Sequence, residues 1–180
     1  MAQDARPRIR VTLTGPECTG KTTLAATIAR ELGVEWTPEF AREHAESSGH
    51  ELSAADVELI AHGEIANLDR AHGEFVIHDT DLLSTVVYAR HYYGACPSWI
   101  EDEARARRAD LYLLLDTDVD WQPDAARDAN DDAREDLFDA FRAALDEFET
   151  RWEIVSGDWN ERLTLALTTI RGAAGLGPPT

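Results

Sequence analysis

The chain has 180 residues and 20.0 kDa, is 43% hydrophobic, and carries a formal net charge of −18 with a pI near 4.5. That length suits one domain with a sizeable core, and the charge argues against a polynucleotide partner and against docking on an anionic membrane, both of which ask for a basic surface. Two cysteines, Cys18 and Cys96, are too few for a disulfide scaffold or a structural zinc site, MAQDARPRIR holds no apolar signal core, and no apolar run approaches the ~20 residues that span a bilayer, so a cytoplasmic location is expected.

In chain order, residues 1–7 have little to bury, and 8–14 (RIRVTLT) read as a buried strand. Residues 15–20 form a glycine-bounded loop. A helix over 21–32 follows, with Leu24, Ile28 and Leu32 on one face and Gly33 as its stop. A short strand at 34–37 leads into a helix at 40–47. Ser53 is an N-cap candidate for a long helix to about 71. A strand at 75–78 (FVIH) precedes helices at 82–93 and 98–108. The run 111–115 has the continuous apolar character of a parallel strand buried on both faces. Residues 121–130 are polar and irregular, 131–150 return to helix, 153–155 form the last strand and 159–171 the closing helix. The tail 172–180 has little to bury.

Strands alternating with helices predict an α/β fold, a five-stranded parallel sheet with helices on both faces. Such sheets bind ligands beyond the carboxyl ends of their strands. Every chemically suggestive motif in the chain falls at such an end.

The first is Gly15-Pro16-Glu17-Cys18-Thr19-Gly20-Lys21-Thr22, which fits G-x-x-x-x-G-K-[ST] between a strand and a helix. Its glycines let backbone N–H groups face phosphate oxygens, and the helix start adds positive potential. Lys21 is expected to reach the β- and γ-phosphates of ATP and Thr22 to ligate magnesium. Lys21 is also the single lysine of the chain, against 16 arginines. A position that keeps an ammonium against that background needs a compact charge. Cys18 reads as a small filler of the loop.

Asp79-Thr80-Asp81 follows the third strand. Asp79 is a candidate second magnesium anchor, while Asp81 or Thr80 could equally cap the next helix. Glu39 and Arg42 follow the second strand and share a helix face, as a surface ion pair or as a substrate-facing acid with a positioning arginine. Trp121, Arg127 and Arg134 follow the fourth strand, in an acidic loop or in an arginine-bearing lid over the phosphates. Tyr92, Tyr93, Trp99 and Trp121 are candidates for ring stacking or for core packing. The six histidines show no metal-ligand spacing and read as core or surface residues.

Together these stretches resemble the ribosylnicotinamide kinase domain of NadR-type proteins and their stand-alone P-loop relatives. The matching runs are GPECTGKTTLA at 15–25, PEFARE at 38–43, IHDTDLLST at 77–85, YYGACP at 92–97, WQPDAAR at 121–127, Arg134 with Phe138, and SGDWNERL at 156–163. The resemblance covers about residues 8–171 as one kinase unit, without an adenylyltransferase or DNA-binding domain. It implies a P-loop NTPase of the nucleoside- and nucleotide-kinase type, with a lid at about 120–134. It implies ATP, magnesium and transfer to the ribose 5′-hydroxyl of nicotinamide riboside.

By position, Gly15, Glu17, Cys18, Thr19, Gly20, Lys21, Thr22 and Thr23 would hold ATP, with Arg127 and Arg134 closing on its phosphates. Trp159 would stand at the adenine in the 156–162 loop. Thr22 and Asp79 would serve the metal, and Lys21, Asp79, Glu39 and Arg127 the chemistry. Glu39, Arg42, Asp81, Tyr92 and Trp121 would lie on the substrate side. Either Asp79 or Glu39 could act as base. Two alternatives stand beside this expectation: a kinase for another nucleoside or vitamin-like alcohol, and a nucleotide-dependent regulatory ATPase without an acceptor. Oligomeric state is not legible.

Overall fold

Each run read as a strand is a strand in the computed structural model, which describes residues 9–49, 51–119 and 131–175. Among these, β1 (Ile9–Thr14), β2 (Glu35–Thr37), β3 (Phe75–Asp79), β4 (Leu111–Leu115) and β5 (Trp152–Val155) form one parallel sheet in the order β2-β3-β1-β4-β5. Seven α-helices of the described residues connect and cover it: α1 (Lys21–Leu32), α2 (Phe40–Ser48), α3 (Val57–Arg70), α4 (Leu82–Tyr93), α5 (Ser98–Ala106), α6 (Asp131–Glu147) and α7 (Trp159–Ala174).

The apolar run of β4 explains the two helical layers. Strand side chains alternate between faces. Leu111, Leu113 and Leu115 therefore join Val11 and Leu13 of β1 against α1 and α7, where Leu24, Ile28 and Ile170 are fully buried. Tyr112 and Leu114 face the other way, against Val86 of α4, Ile100 of α5 and Phe141 of α6. All five residues of β4 are thus buried, some on each face. β1 lies between β3 and β4, so the loop after it sits at the middle of the sheet's carboxyl edge.

The helix boundaries differ from expectation for local reasons. The long helix after Ser53 opens as a 3₁₀ turn (Ala54–Asp56), because the Ser53 N–H and Oγ both donate to the Asp56 carboxylate, at 2.9 and 2.8 Å. α5 stops at Ala106 rather than 108; the Arg10 guanidinium takes the carbonyls of Arg107 and Arg108 at 3.3 and 2.6 Å. α6 ends at Glu147, where Arg108 takes the Phe148 carbonyl and Glu149 turns left-handed at φ 51°. α7 runs on to Ala174, since Ile170 and Ala173 still find apolar neighbours.

One packing detail matters for the site. A Cβ built on Gly63 of α3 would lie 2.2 Å from the Phe40 ring. Glycine at 63 is what lets the start of α2 settle directly on α3. Among the described residues no helix is long and apolar enough to cross a membrane.

Candidate active site

The phosphate loop leaves β1 through Gly15, whose φ of 130° is closed to L side chains. A Cβ there would also meet the Leu115 carbonyl of β4 at 2.9 Å. The loop then folds on itself. The Thr19 hydroxyl donates to the Pro16 carbonyl at 3.0 Å, and the Lys21 ammonium to Gly15 and Pro16 carbonyls at 3.0 and 2.6 Å. Cys18 occupies a left-handed position at φ 57°, and Thr23 lies exposed in the first turn of α1.

From behind, Arg162 of α7 ties this loop to the neighbouring strand ends. It is fully buried and donates to the carbonyls of Thr19, Gly157 and Asp116 at 2.9, 2.9 and 3.0 Å, and it pairs with the Asp118 carboxylate. Asp118 in turn accepts from the Gly157 N–H at 2.6 Å. Reading the sequence missed this residue. An arginine inside a helix carries no signal that its fork will gather three carbonyls from separate segments.

Helix α7 starts where it does because Asp158 and Glu161 form a reciprocal capping box. That cap places Trp159 beside the loop, where a Cβ on Gly20 would lie 3.3 Å from its ring. The ring is 39% exposed. An aromatic face next to a phosphate loop suits the base of a nucleotide.

Across the loop, Thr22 Oγ1 donates to Asp79 Oδ2 at 2.5 Å. Asp79 ends β3 and is 1% exposed; its Oδ1 has no hydrogen-bond partner among the described residues. Burial raises its carboxyl above the ordinary aspartate range, while the Thr22 hydroxyl pulls it down. A hydroxyl and a buried, under-satisfied carboxylate at the end of a phosphate loop fit magnesium, a hard cation that takes oxygen ligands and keeps water and phosphate as the rest.

Asp81 corrects the expectation of a substrate contact. Its carboxylate is buried beneath the sheet edge, accepting from the Leu83 N–H at 2.9 Å, the Tyr112 hydroxyl at 2.7 Å and the Thr12 hydroxyl at 3.3 Å. It caps α4 and does not line the cleft. Thr80 is the cause: it is left-handed at φ 67°, with its N–H held by the Leu13 carbonyl at 3.0 Å, so the chain turns between the two aspartates.

Next to the loop opens a cleft of about 710 Å³, walled by Glu17 and Lys21, Glu39 and Arg42 of α2, Glu64 of α3, and Tyr88 and Tyr92 of α4. Glu39 and Arg42 form an ion pair at 3.8 Å and both line the cleft, which joins the two readings of their spacing. Tyr92 donates to Glu17 at 3.1 Å and Tyr88 to the Gly15 carbonyl at 3.4 Å. Tyr93 also lines the cleft and donates to the Leu52 carbonyl at 3.1 Å. Trp99 does not line it; its ring packs against His62 at 4.8 Å.

Glu64 was not foreseen. It is 3% exposed and accepts from the Phe40 N–H at 2.8 Å, supplying the start of α2 with a cap that Glu39 does not provide. Burial raises its carboxyl well above the ordinary range, partly offset by that N–H. His78, read as a core or surface residue, is core; burial lowers it to about 4, with its Nδ1 2.7 Å from the Thr37 hydroxyl. Trp121 and Arg127 lie outside the described residues. Arg134, in α6, is 2% exposed, so it is not a solvated surface arginine.

The profile of the AAA domain family matches residues 10–162. No curated protein matches the chain in sequence. Among solved structures, NadR protein in complex with NR has a TM-score of 0.78 at 23% identity, over 96% of this chain and 53% of that one. NadR protein with NAD and AMP-PNP has a TM-score of 0.75 at 23% identity, over 96% and 51%. Deoxyadenosine kinase from M. mycoides, with dCMP and dCDP bound, has a TM-score of 0.65 at 13% identity, over 91% and 100%. The chain thus spans about half the length of the NadR chains. At these identities the likeness is one of fold, the P-loop α/β architecture of nucleoside and nucleotide kinases.

Proposed function

The chain belongs to the AAA domain family, and on that premise we propose that it is an ATP-dependent kinase that phosphorylates a primary hydroxyl of a small nucleoside-like molecule, with nicotinamide riboside the first choice. The observation that carries the proposal is that Lys21 belongs to both halves of the site: it closes the phosphate loop and also lines the adjoining cleft. A phosphoryl group held by the loop would face an acceptor held by the cleft.

Charge supports a nucleoside over a nucleotide acceptor. Besides Glu64, whose charged form burial disfavours, the cleft wall carries four acids, Glu17, Glu39, Glu46 and Glu51, against two bases, Lys21 and Arg42. A monophosphate acceptor would bring two more negative charges into that wall. Nicotinamide riboside instead carries a fixed positive charge on its ring. The fold shared with NadR bound to NR points the same way.

In the proposed reaction the acceptor oxygen attacks the γ-phosphorus in line, its bond forms as the bond to the β–γ bridging oxygen breaks, and ADP leaves. The transition state is loose, so positioning and charge neutralisation do most of the catalysis. Loop N–H groups and Lys21 hold the phosphates, with Trp159 beside the base. Thr22 and Asp79 would hold magnesium, which supplies charge neutralisation across the phosphates. Because Asp79 is engaged with Thr22 while Glu39 lines the cleft, we assign the proton of the acceptor hydroxyl to Glu39, with Arg42 holding its carboxylate in place. Residues 8–171 are taken as one catalytic unit, in which Arg127 and Arg134 would neutralise charge on the transferred group.

The test is ADP release from Mg·ATP with nicotinamide riboside and a panel of nucleosides and alcohols, with Lys21→Ala as the blank. A Lys21-dependent signal with nicotinamide riboside is the expected result. A signal with another acceptor keeps the kinase and changes its substrate. Silence across the panel with ATP still bound would overturn the kinase reading in favour of a regulatory ATPase.

A further inference from the structure

Glu17 sits inside the phosphate-loop motif, which places it by sequence on the ATP side. Its chemistry argues otherwise. A carboxylate turned toward a triphosphate would meet like charge at close range, which opposes binding. The structure shows where it goes instead. Glu17 is 5% exposed, lines the cleft together with Glu39, and accepts from the hydroxyl of Tyr92, a half-exposed residue 75 positions away on α4. The loop thus puts one carboxylate on the cleft, held there by Tyr92, while its N–H groups and Lys21 would serve the phosphates.

Resting on the kinase reading above, we propose that Glu17 is an acceptor-binding and specificity residue. With Tyr92 it grips a sugar hydroxyl other than the one that receives the phosphoryl group. A carboxylate is an acceptor-only group, and its neutral match on a small molecule is a hydroxyl donor. Tyr92, whose hydrogen goes to Glu17, offers an oxygen that can accept from the same sugar. The acceptor class is then a ribosyl compound with free secondary hydroxyls, and a simple primary alcohol lacks the second handle. A site built to hydrogen-bond a hydroxyl rejects an analogue without it, because its buried polar groups are left unmatched.

The experiment compares wild type with Glu17→Ala and the isosteric Glu17→Gln, using nicotinamide riboside and its 2′-deoxy and 3′-deoxy forms as acceptors. Binding of a fluorescent ATP analogue is measured in parallel. Glu17→Ala is expected to raise the acceptor KM about 10- to 100-fold while ATP affinity changes less than about threefold. One deoxy acceptor should suffer a similar loss with the wild type and little further loss with the variant. Glu17→Gln keeps the shape of the loop and carries the same comparison should the alanine variant not fold. Weakened ATP binding with an unchanged acceptor KM would overturn the assignment and leave the kinase standing. Equal losses on all three acceptors would overturn it as well. No transfer by wild type to any acceptor would instead bring down the kinase reading, and this inference with it.

Discussion

Thr22 and Asp79 stand 57 positions apart and share one short hydrogen bond, Oγ1 to Oδ2 at 2.5 Å. It joins the first turn of α1 to the last residue of β3, across the gap where β1 delivers the phosphate loop. The pairing of β1 with β3 sets that distance, since Leu13 and Asp79 are register partners. The bond also leaves a buried carboxylate oxygen without a partner among the described residues. Such an arrangement costs the fold stability and suits a bound cation.

Asp79→Asn should separate those two effects. Burial holds the Asp79 carboxyl above its ordinary range, so its charged form opposes folding. The sign follows: this penalty is fully present above the folded pKa and fades as pH falls toward the unfolded value. The asparagine variant should melt higher than wild type at neutral pH in the absence of metal, with the gap closing in acid. Phosphoryl transfer should fall by about 100-fold or more, with a raised magnesium requirement. A metal titration of activity and a pH series of thermal melts check both.

Lys21→Ala should lower turnover by about 1,000-fold and leave the circular dichroism spectrum unchanged. Lys21→Arg should rescue little of it, because the ammonium fits between the Gly15 and Pro16 carbonyls and a planar fork does not. Near-normal transfer by a folded alanine variant would remove the loop from the chemistry.

Arg162→Leu strips donors from three carbonyls and leaves the Asp118 carboxylate without its cation. We expect a loss of about 3 kcal/mol in urea unfolding. ATP affinity should fall too, since Thr19 is one of the tethered residues. A leucine variant as stable as wild type would show that the tether is not structural.

His78 predicts an acid sensitivity with a defined sign. Its folded value of about 4 lies below the ordinary 6.5. The neutral ring thus contributes stability that is present above pH 6.5 and is lost as pH falls toward 4, about 3 kcal/mol in all. The buried Glu64, Asp79 and Asp81 shift the opposite way and offset part of it. The measurement is therefore a difference: stability of wild type minus His78→Gln should fall between pH 6.5 and 4. A flat difference would contradict the assignment.

Gly63→Ala should act at the cleft without touching it. The new methyl would press on the Phe40 ring and push the start of α2, with Glu39 and Arg42, off α3. Overpacking of this kind costs about 1–3 kcal/mol. The acceptor KM should rise more than that of ATP; equal rises would place the damage in the phosphate loop instead.

The amino-acid sequence by itself determined the strands, the helices, the phosphate loop and the loop's partner Asp79. Apolar periodicity and glycine positions are local, and phosphate binding asks for its residues in consecutive order, so both can be read along one chain. Glu64, Tyr88 and Arg162 could not be read that way. Each acts on a segment tens of positions distant, through contacts that exist only once the strand order is set. The tertiary structure also decided between the two aspartates of Asp79-Thr80-Asp81. Two residues apart in an extended strand, they would point to one side. The left-handed Thr80, held by the Leu13 carbonyl of the neighbouring strand, turns them apart, sending one to the loop threonine and the other under the helix it caps.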